Sequence, residues 1–114
     1  MKTTSQKVYE LLNQIPKGKI TTYKEIANKL GIKGYRAIGQ IVGANPNAPQ
    51  VPCHRVVRSD GSLGGYAFGI EKKIEILALE GVMVDEDRIV DFEKKFYRFW
   101  TNEKHNQTKW KNFT

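Results

Sequence analysis

The sequence predicts a mainly α domain with a short β-hairpin, arranged as a winged-helix-like helix-turn-helix. Three observations carry that expectation. Apolar residues recur at helical spacing in three short N-terminal segments. The second and third of these are joined by a four-residue turn bearing glycine. A β-branched pair is then followed by an Asp60-Gly61 turn signal and a glycine-rich return. With 114 residues, 39% of them hydrophobic, the chain holds apolar material for one modest core.

Val8, Leu11, Leu12 and Ile15 follow the i, i+3, i+4, i+7 stripe of a helix near 4–15, with Thr4 or Ser5 as cap and Pro16-Lys17-Gly18 as the stop. Thr22-Tyr23-Lys24-Glu25 reads as a capping box opening a short helix with Ile26, Ala27 and Leu30 inward, ended by Gly31. After Gly31-Ile32-Lys33-Gly34 a further helix is expected over 35–42, its apolar face made by Ala37, Ile38, Ile41 and Val42. The opposite face carries Arg36, Gly39, Gln40 and Gly43 and has almost no bulk. Glycine weakens a helix interior by about 1 kcal/mol relative to alanine, so two on one face imply close approach of something else. That something is either another helix or, given Arg36 near the N-terminus of the segment, a DNA groove.

Residues 44–52, with three prolines and two asparagines, form a loop of restricted backbone freedom. A short hairpin is expected around Asp60-Gly61, then a loop around Tyr66. A mostly buried helix follows over 70–79, with Ile70, Ile74, Ile76, Leu77 and Leu79 on a broad arc. A small acidic hairpin over 82–90 and a last helix striped by Phe92, Phe96, Phe99 and Trp100 complete the domain, which is placed at 1–100. Residues 101–114 are polar and aperiodic and read as a flexible tail. The basic aromatic stretch 94–100 is open to two readings, a packed amphipathic helix or a nucleic-acid contact.

Nineteen Lys and Arg against twelve Asp and Glu give a net charge of +7, which favours a polyanionic partner. One cysteine excludes an internal disulfide, and with His54 and His105 as the only imidazoles there is no Cys/His set for zinc. No secretory signal and no membrane-length apolar run is present, so a reduced thiol and a cytoplasmic, nucleoid-associated setting are expected, with no membrane partner.

The single cysteine stands in VPCHRVV. A lone cysteine is more often a small buried hydrophobe than a nucleophile, but His54 and Arg55 supply a base and a positive charge, the two aids that give a thiol thiolate character. Adjacent side chains on an extended strand point apart, so His54 would need a local turn or a bridging water to act on Cys53.

PKGKITTYKEIA, GYRAIGQIVGANPN, VPCHRVV, GGYAFG and KKIEILALEGV resemble, in the same order, the DNA-binding and active-site domain of the O6-alkylguanine-DNA alkyltransferase family. The resemblance covers about residues 8–82, without the N-terminal domain that the family usually carries. It implies a DNA repair enzyme, a methylated-DNA–protein-cysteine methyltransferase. A guanine carrying an alkyl group on O6 is flipped out of double-stranded DNA, and Cys53 takes the group irreversibly, once per molecule. His54 would relay the thiol proton through water, Glu80 would hold the other imidazole nitrogen, Tyr23 would donate to the leaving guanine and Asn45 would steady the network. Arg36 would enter the vacated stack. The expected DNA-contacting set is Arg36, Gly39, Gln40 and Gly43 with Tyr35 and Thr22; the expected base pocket is Val56, Tyr66, Ala67 and Gly65. Ala67 stands where the family often has serine. No cofactor is implied, and a monomer is expected.

Two other readings compete. Alkyltransferase-like proteins share the fold, lack the cysteine, bind alkylated DNA and recruit other repair factors; Cys53 argues against that reading. A plain helix-turn-helix regulator would leave PCHR and Glu80 without a role.

Overall fold

The computed structural model describes residues 2–99. The first helix, α1 (Thr4–Gln14), is capped one residue earlier than the sequence suggests. Thr3 Oγ1 accepts from Gln6 N at 3.1 Å and the Gln6 side chain accepts from Thr3 N at 2.8 Å, a complete capping box. Its stripe Val8, Leu11 and Leu12, with Ile15 beyond, is buried as expected, each side chain contributing about 1.5–3 kcal/mol of hydrophobic stabilisation. A two-residue strand β1 (Thr21–Thr22) leads into α2 (Tyr23–Leu30). Thr22 Oγ1 caps it by accepting from Glu25 N at 3.0 Å, and Gly31 ends it at φ +73°. The return half of that expected capping box is not made: the Glu25 carboxylate faces Arg98 at 3.6 Å instead.

The turn after Gly31 brings in α3 (Tyr35–Gly43), completing the helix-turn-helix. Ile38 and Val42 are buried, while Ala37, assigned above to the apolar face, is exposed. Cys53–Arg55 form one 3-10 turn, followed by β2 (Val56–Val57). Then come α4 (Ile70–Leu79), the antiparallel pair β3 (Val84–Asp85) and β4 (Arg88–Ile89), and a single turn α5 (Phe92–Lys95).

Three expectations need correction. Val56-Val57 does not start a hairpin: β2 pairs in parallel with β1, Thr21 beside Val56 and Thr22 beside Val57. The Asp60-Gly61 turn does form, closed by Arg58 N donating to Ser62 O at 2.9 Å, but its outgoing arm pairs with β4 through Ser62 and Arg88. Second, α4 is not mostly buried. Leu77 is, but Ile70 and Leu79 are exposed, and Lys73 is as fully buried as Leu77. Third, the last helix stops at Lys95. Residues 95–97 pair with Ile20, the residue just before β1, with Ile20 N donating to Lys95 O at 2.9 Å and Tyr97 N donating to Ile20 O at 2.7 Å. Thr21 Oγ1 adds a bond to Tyr97 O at 2.9 Å. An open strand edge offers donors and acceptors that a lone helical turn cannot match, and the segment extends to meet them. Trp100 and the tail assigned to 101–114 lie outside the described residues.

The paired strands divide two cores by the two-residue alternation of strand side chains. Val56 faces the core built by α1, α2 and α3, which Phe99 closes; Val57 faces a second core with Ile20, Leu63, Leu77, Val82 and Ile89, against which Phe92 and Phe96 stack. Cys53 therefore emerges where the helix-turn-helix core meets the β seam.

Candidate active site

The loop before the cysteine is held by Asn45. Its Nδ2 donates to Val51 O at 2.6 Å, its Oδ1 accepts from Asn47 N at 3.0 Å, and Cys53 N then donates to Val51 O at 2.8 Å. Asn45 thus fixes the loop that delivers Cys53 and makes no bond to His54 or Glu80. Cys53 is nearly buried yet lines a cleft of about 750 Å³, which is in the size range of small-molecule sites.

The 3-10 turn removes the opposition of adjacent side chains expected on a strand. His54, also buried, turns toward α4, where its Nε2 meets Glu80 Oε2 at 3.0 Å. Burial, outweighing the help of Glu80, lowers the His54 pKa below its ordinary value, so the ring is neutral at pH 7. Burial pushes the Glu80 pKa up, but hydrogen bonds from Arg55 and His54 outweigh it and hold the carboxyl below its usual range. An ionised Glu80 can only accept, which assigns the imidazole proton to Nε2 and leaves Nδ1 as a lone pair. That buried Nδ1 has no partner among the described residues.

Arg55 differs from its sequence reading. Its guanidinium does not serve the thiol but grips Glu80 as a fork, Nε to Oε1 at 2.9 Å and one terminal nitrogen to Oε2 at 2.7 Å. Its other terminal nitrogen donates to Ile15 O at 2.8 Å. Glu80 sits at the carbonyl end of α4, where a carboxylate is disfavoured by the helix dipole, and the Arg55 fork is what offsets that placement.

Tyr23, Tyr35, Arg36, Gly39 and Gly43 from the helix-turn-helix, and Gly65, Tyr66 and Ala67 from the glycine-rich loop, share the cleft with Cys53. Gln40 is exposed on the same face of α3. Nothing stands within 4 Å of a Cβ built on Gly39 or Gly43, so among the described residues no second helix packs there and the smooth face is open. Tyr23 lies against the backbone of Gly64. A Cβ at Gly64 would fall 3.2 Å from the phenol oxygen, and its φ of +72° already calls for glycine. Burial raises the Tyr23 pKa, with the charge of Arg58 opposing, so the hydroxyl remains a donor at neutral pH. Tyr66 sets its ring edge-on to His54, and its buried hydroxyl has no partner among the described residues. Two sequence assignments are not brought to the cleft. Thr22 is buried as the α2 cap, and Val56 is buried in the core, its carbonyl facing Lys73.

Lys73 is the residue that sequence reasoning missed. Fully buried, its ammonium donates to Val56 O at 2.8 Å, Leu63 O at 2.6 Å and Gly65 O at 3.0 Å, tying β2 to the loop that walls the cleft. Burial lowers its pKa to about 8, opposed by the nearby Cys53 sulfur. In the sequence it stands in a Glu-Lys-Lys run that reads as solvated helix surface, and only its i+4 spacing to Leu77 hints otherwise.

A family model described as the DNA-binding domain of 6-O-methylguanine DNA methyltransferase matches residues 3–82. The chain is 51% identical over 77 residues to a methylated-DNA–protein-cysteine methyltransferase of Candida glabrata, covering 67% of this chain and 37% of that protein. A protein of the same name from Methanosarcina barkeri is 49% identical over 74 residues, 64% of this chain and 47% of the relative. The fold resembles Mycobacterium tuberculosis OGT in complex with DNA, with a TM-score of 0.67 and 43% identity over 71% of this chain and 50% of that one. It also resembles S. pombe Atl1 in complex with damaged DNA containing O6-carboxymethylguanine, with a TM-score of 0.76 and 27% identity over 87% of this chain and 100% of Atl1. The chain spans about half or less of the length of the curated relatives it matches.

Proposed function

The chain belongs to the 6-O-methylguanine DNA methyltransferase family, and from that premise we propose that it repairs O6-alkylguanine in double-stranded DNA by transferring the alkyl group to Cys53. The observation that carries this reading is the buried Nδ1 of a neutral His54, unpartnered among the described residues, whose Nε2 is held by Glu80, on the same 3-10 turn that presents Cys53 to the cleft.

The reacting carbon of O6-alkylguanine is inaccessible to in-line attack within the base stack, so the nucleotide turns out into the cleft. The open face of α3 lies along the DNA, where Gly39 and Gly43 allow close backbone approach, and Arg36 fills the gap left by the base. His54 Nδ1 takes the thiol proton through a water. The sulfur forms its bond to the alkyl carbon as the carbon–O6 bond breaks, and the electron pair leaves on guanine. Tyr23 donates to the ring as charge develops, and guanine ends protonated. Cys53 ends as a thioether, so each molecule acts once. No step calls for a cofactor. The protein acts as a monomer within residues 1–100, the strand-like segment 95–97 belonging to the same unit because it pairs with Ile20. No helix among the described residues is long and apolar enough to cross a membrane. We place its work in the cytoplasm, at the nucleoid.

Intact-mass spectrometry after incubation with an O6-methylguanine duplex tests the reading. The protein should gain one methyl in place of hydrogen, located on Cys53 by peptide mapping. A second reading, damage binding without transfer, draws on the match to Atl1 over that protein's whole length; tight binding with no mass change would favour it and end the first.

Glu80→Gln should slow transfer about tenfold at pH 7, equivalent to about 1.4 kcal/mol. Glutamine keeps the shape but cannot balance the imidazolium formed when His54 takes the proton. The loss should shrink as pH rises and hydroxide competes with His54 as acceptor of the thiol proton. A mutant whose rate parallels wild type from pH 6 to 9 would reduce Glu80 to an anchor for Arg55.

A further inference from the structure

We propose that Arg58 binds a phosphate of the extruded nucleotide at the mouth of the cleft, an inference that rests on the reading above and names a contact it does not require. Arg58 immediately follows β2 and lines the cleft together with Lys24 and Arg36. Its stem and the reactive end of the site share one spot. A Cβ on Gly64 would lie 3.2 Å from the Tyr23 hydroxyl oxygen and 3.5 Å from Arg58 Cγ, so the arginine stem starts out beside Gly64 and Tyr23. The residue is exposed, and among the described residues its guanidinium makes no hydrogen bond and no ion pair. The nearby acid is otherwise engaged: Asp60 Oδ1 accepts from Ser62 N at 2.9 Å and from Ser62 Oγ at 2.7 Å, and Oδ2 faces Arg88 at 3.9 Å.

A guanidinium at the rim with no partner among the described residues is a fork of donors suited to a planar or tetrahedral anion. When a nucleotide turns into this cleft, its base goes to Cys53 and its two flanking phosphates stay at the rim, on the level where Arg58 ends. Arg36 and Arg58 then divide the work. Arg36, on the α3 face, acts on the duplex left behind; Arg58, on the β2 side, acts on the nucleotide that has left it.

Three substrates separate these roles: the free base O6-benzylguanine, which has no phosphate; a single-stranded trinucleotide with a central O6-methylguanine, which has phosphates but no stack to vacate; and the full duplex. For Arg58→Ala, the trinucleotide-to-free-base and duplex-to-free-base rate ratios should both fall about tenfold relative to wild type. The slope of log affinity against log salt on the lesion-bearing duplex should become shallower by about one. For Arg36→Ala only the duplex ratio should fall. An Arg58→Ala protein with unchanged ratios, whether from equal losses on all substrates or from none, would overturn the proposal, as would a loss confined to the duplex. A wild-type protein that takes no benzyl group from the free base would fail the transfer reading, while the salt slope would still report on Arg58.

Discussion

Cys53→Ala is expected to abolish alkyl transfer while leaving affinity for an O6-methylguanine duplex within about twofold of wild type. The sulfur forms the only new bond of the reaction, and no other thiol exists in the chain to take its place. Water is a poor substitute because the displacement depends on the intrinsic nucleophilicity of a thiolate. Binding survives because Cys53 is nearly buried and contributes little contact area, whereas phosphate neutralisation by the basic rim dominates affinity. Stability should fall by only about 1 kcal/mol, since alanine deletes one atom from the core that Cys53 joins. Cys53→Ser sharpens the result: it keeps the size and a donor but not the sulfur, and it should be equally silent. Intact-mass spectrometry beside duplex titration reads both effects, and a methylated Cys53→Ala protein would remove Cys53 from the chemistry.

Lys73→Met is expected to lower the unfolding free energy by about 3 kcal/mol at pH 7 and to slow transfer as the loop of Gly64, Gly65 and Tyr66 loosens. Methionine fills the space but leaves the carbonyls of Val56, Leu63 and Gly65 without the donor that now joins them. Each such loss costs about 1–3 kcal/mol, offset in part because a buried cation no longer has to be desolvated. The pH dependence carries the signature. The folded pKa of about 8 lies below the ordinary 10.5, so as pH falls from 10.5 the unfolded chain binds this proton before the folded one does. Stability contributed by Lys73 is therefore full above about 10.5 and declines by about 3 kcal/mol on the way down to pH 8. That slope should be missing from Lys73→Met, and the difference between the two proteins in chemical denaturation at several pH values isolates it from other groups titrating nearby. A Lys73→Met protein with wild-type stability and a parallel pH profile would mean the three carbonyls find other donors.

The sequence by itself determined α1 to α4, because their signals are local. A stripe at 3.6-residue spacing, Thr22 three residues before Glu25, and Gly31 at a left-handed turn each act within one or two helical turns, and α1, α2, α3 and α4 begin and end within a residue or two of where those signals put them. The motif order in the chain likewise singled out Cys53, His54, Tyr23, Tyr66 and Glu80, and the fold brings His54 and Glu80 into contact across 26 positions.

What only the tertiary structure decided depends on partners far away in sequence. Two-residue strands show no alternation to read, so the parallel pairing of β1 with β2 was invisible, and the β-branched pair Val56-Val57 fitted a hairpin equally well. The phenylalanine stripe after residue 91 satisfies a helix and a strand alike. The free backbone edge at Ile20, present only once the domain has folded, selects the strand beyond Lys95. Charged residues carry the same ambiguity in another form. Lys73, Arg55 and Arg58 are each a cation in a run of polar or apolar neighbours, yet one is buried on three carbonyls, one is forked onto Glu80 and one is exposed at the rim. A lysine or arginine side chain is long and takes whatever anion or carbonyl the assembled fold puts within reach, and no local spacing records where that will be.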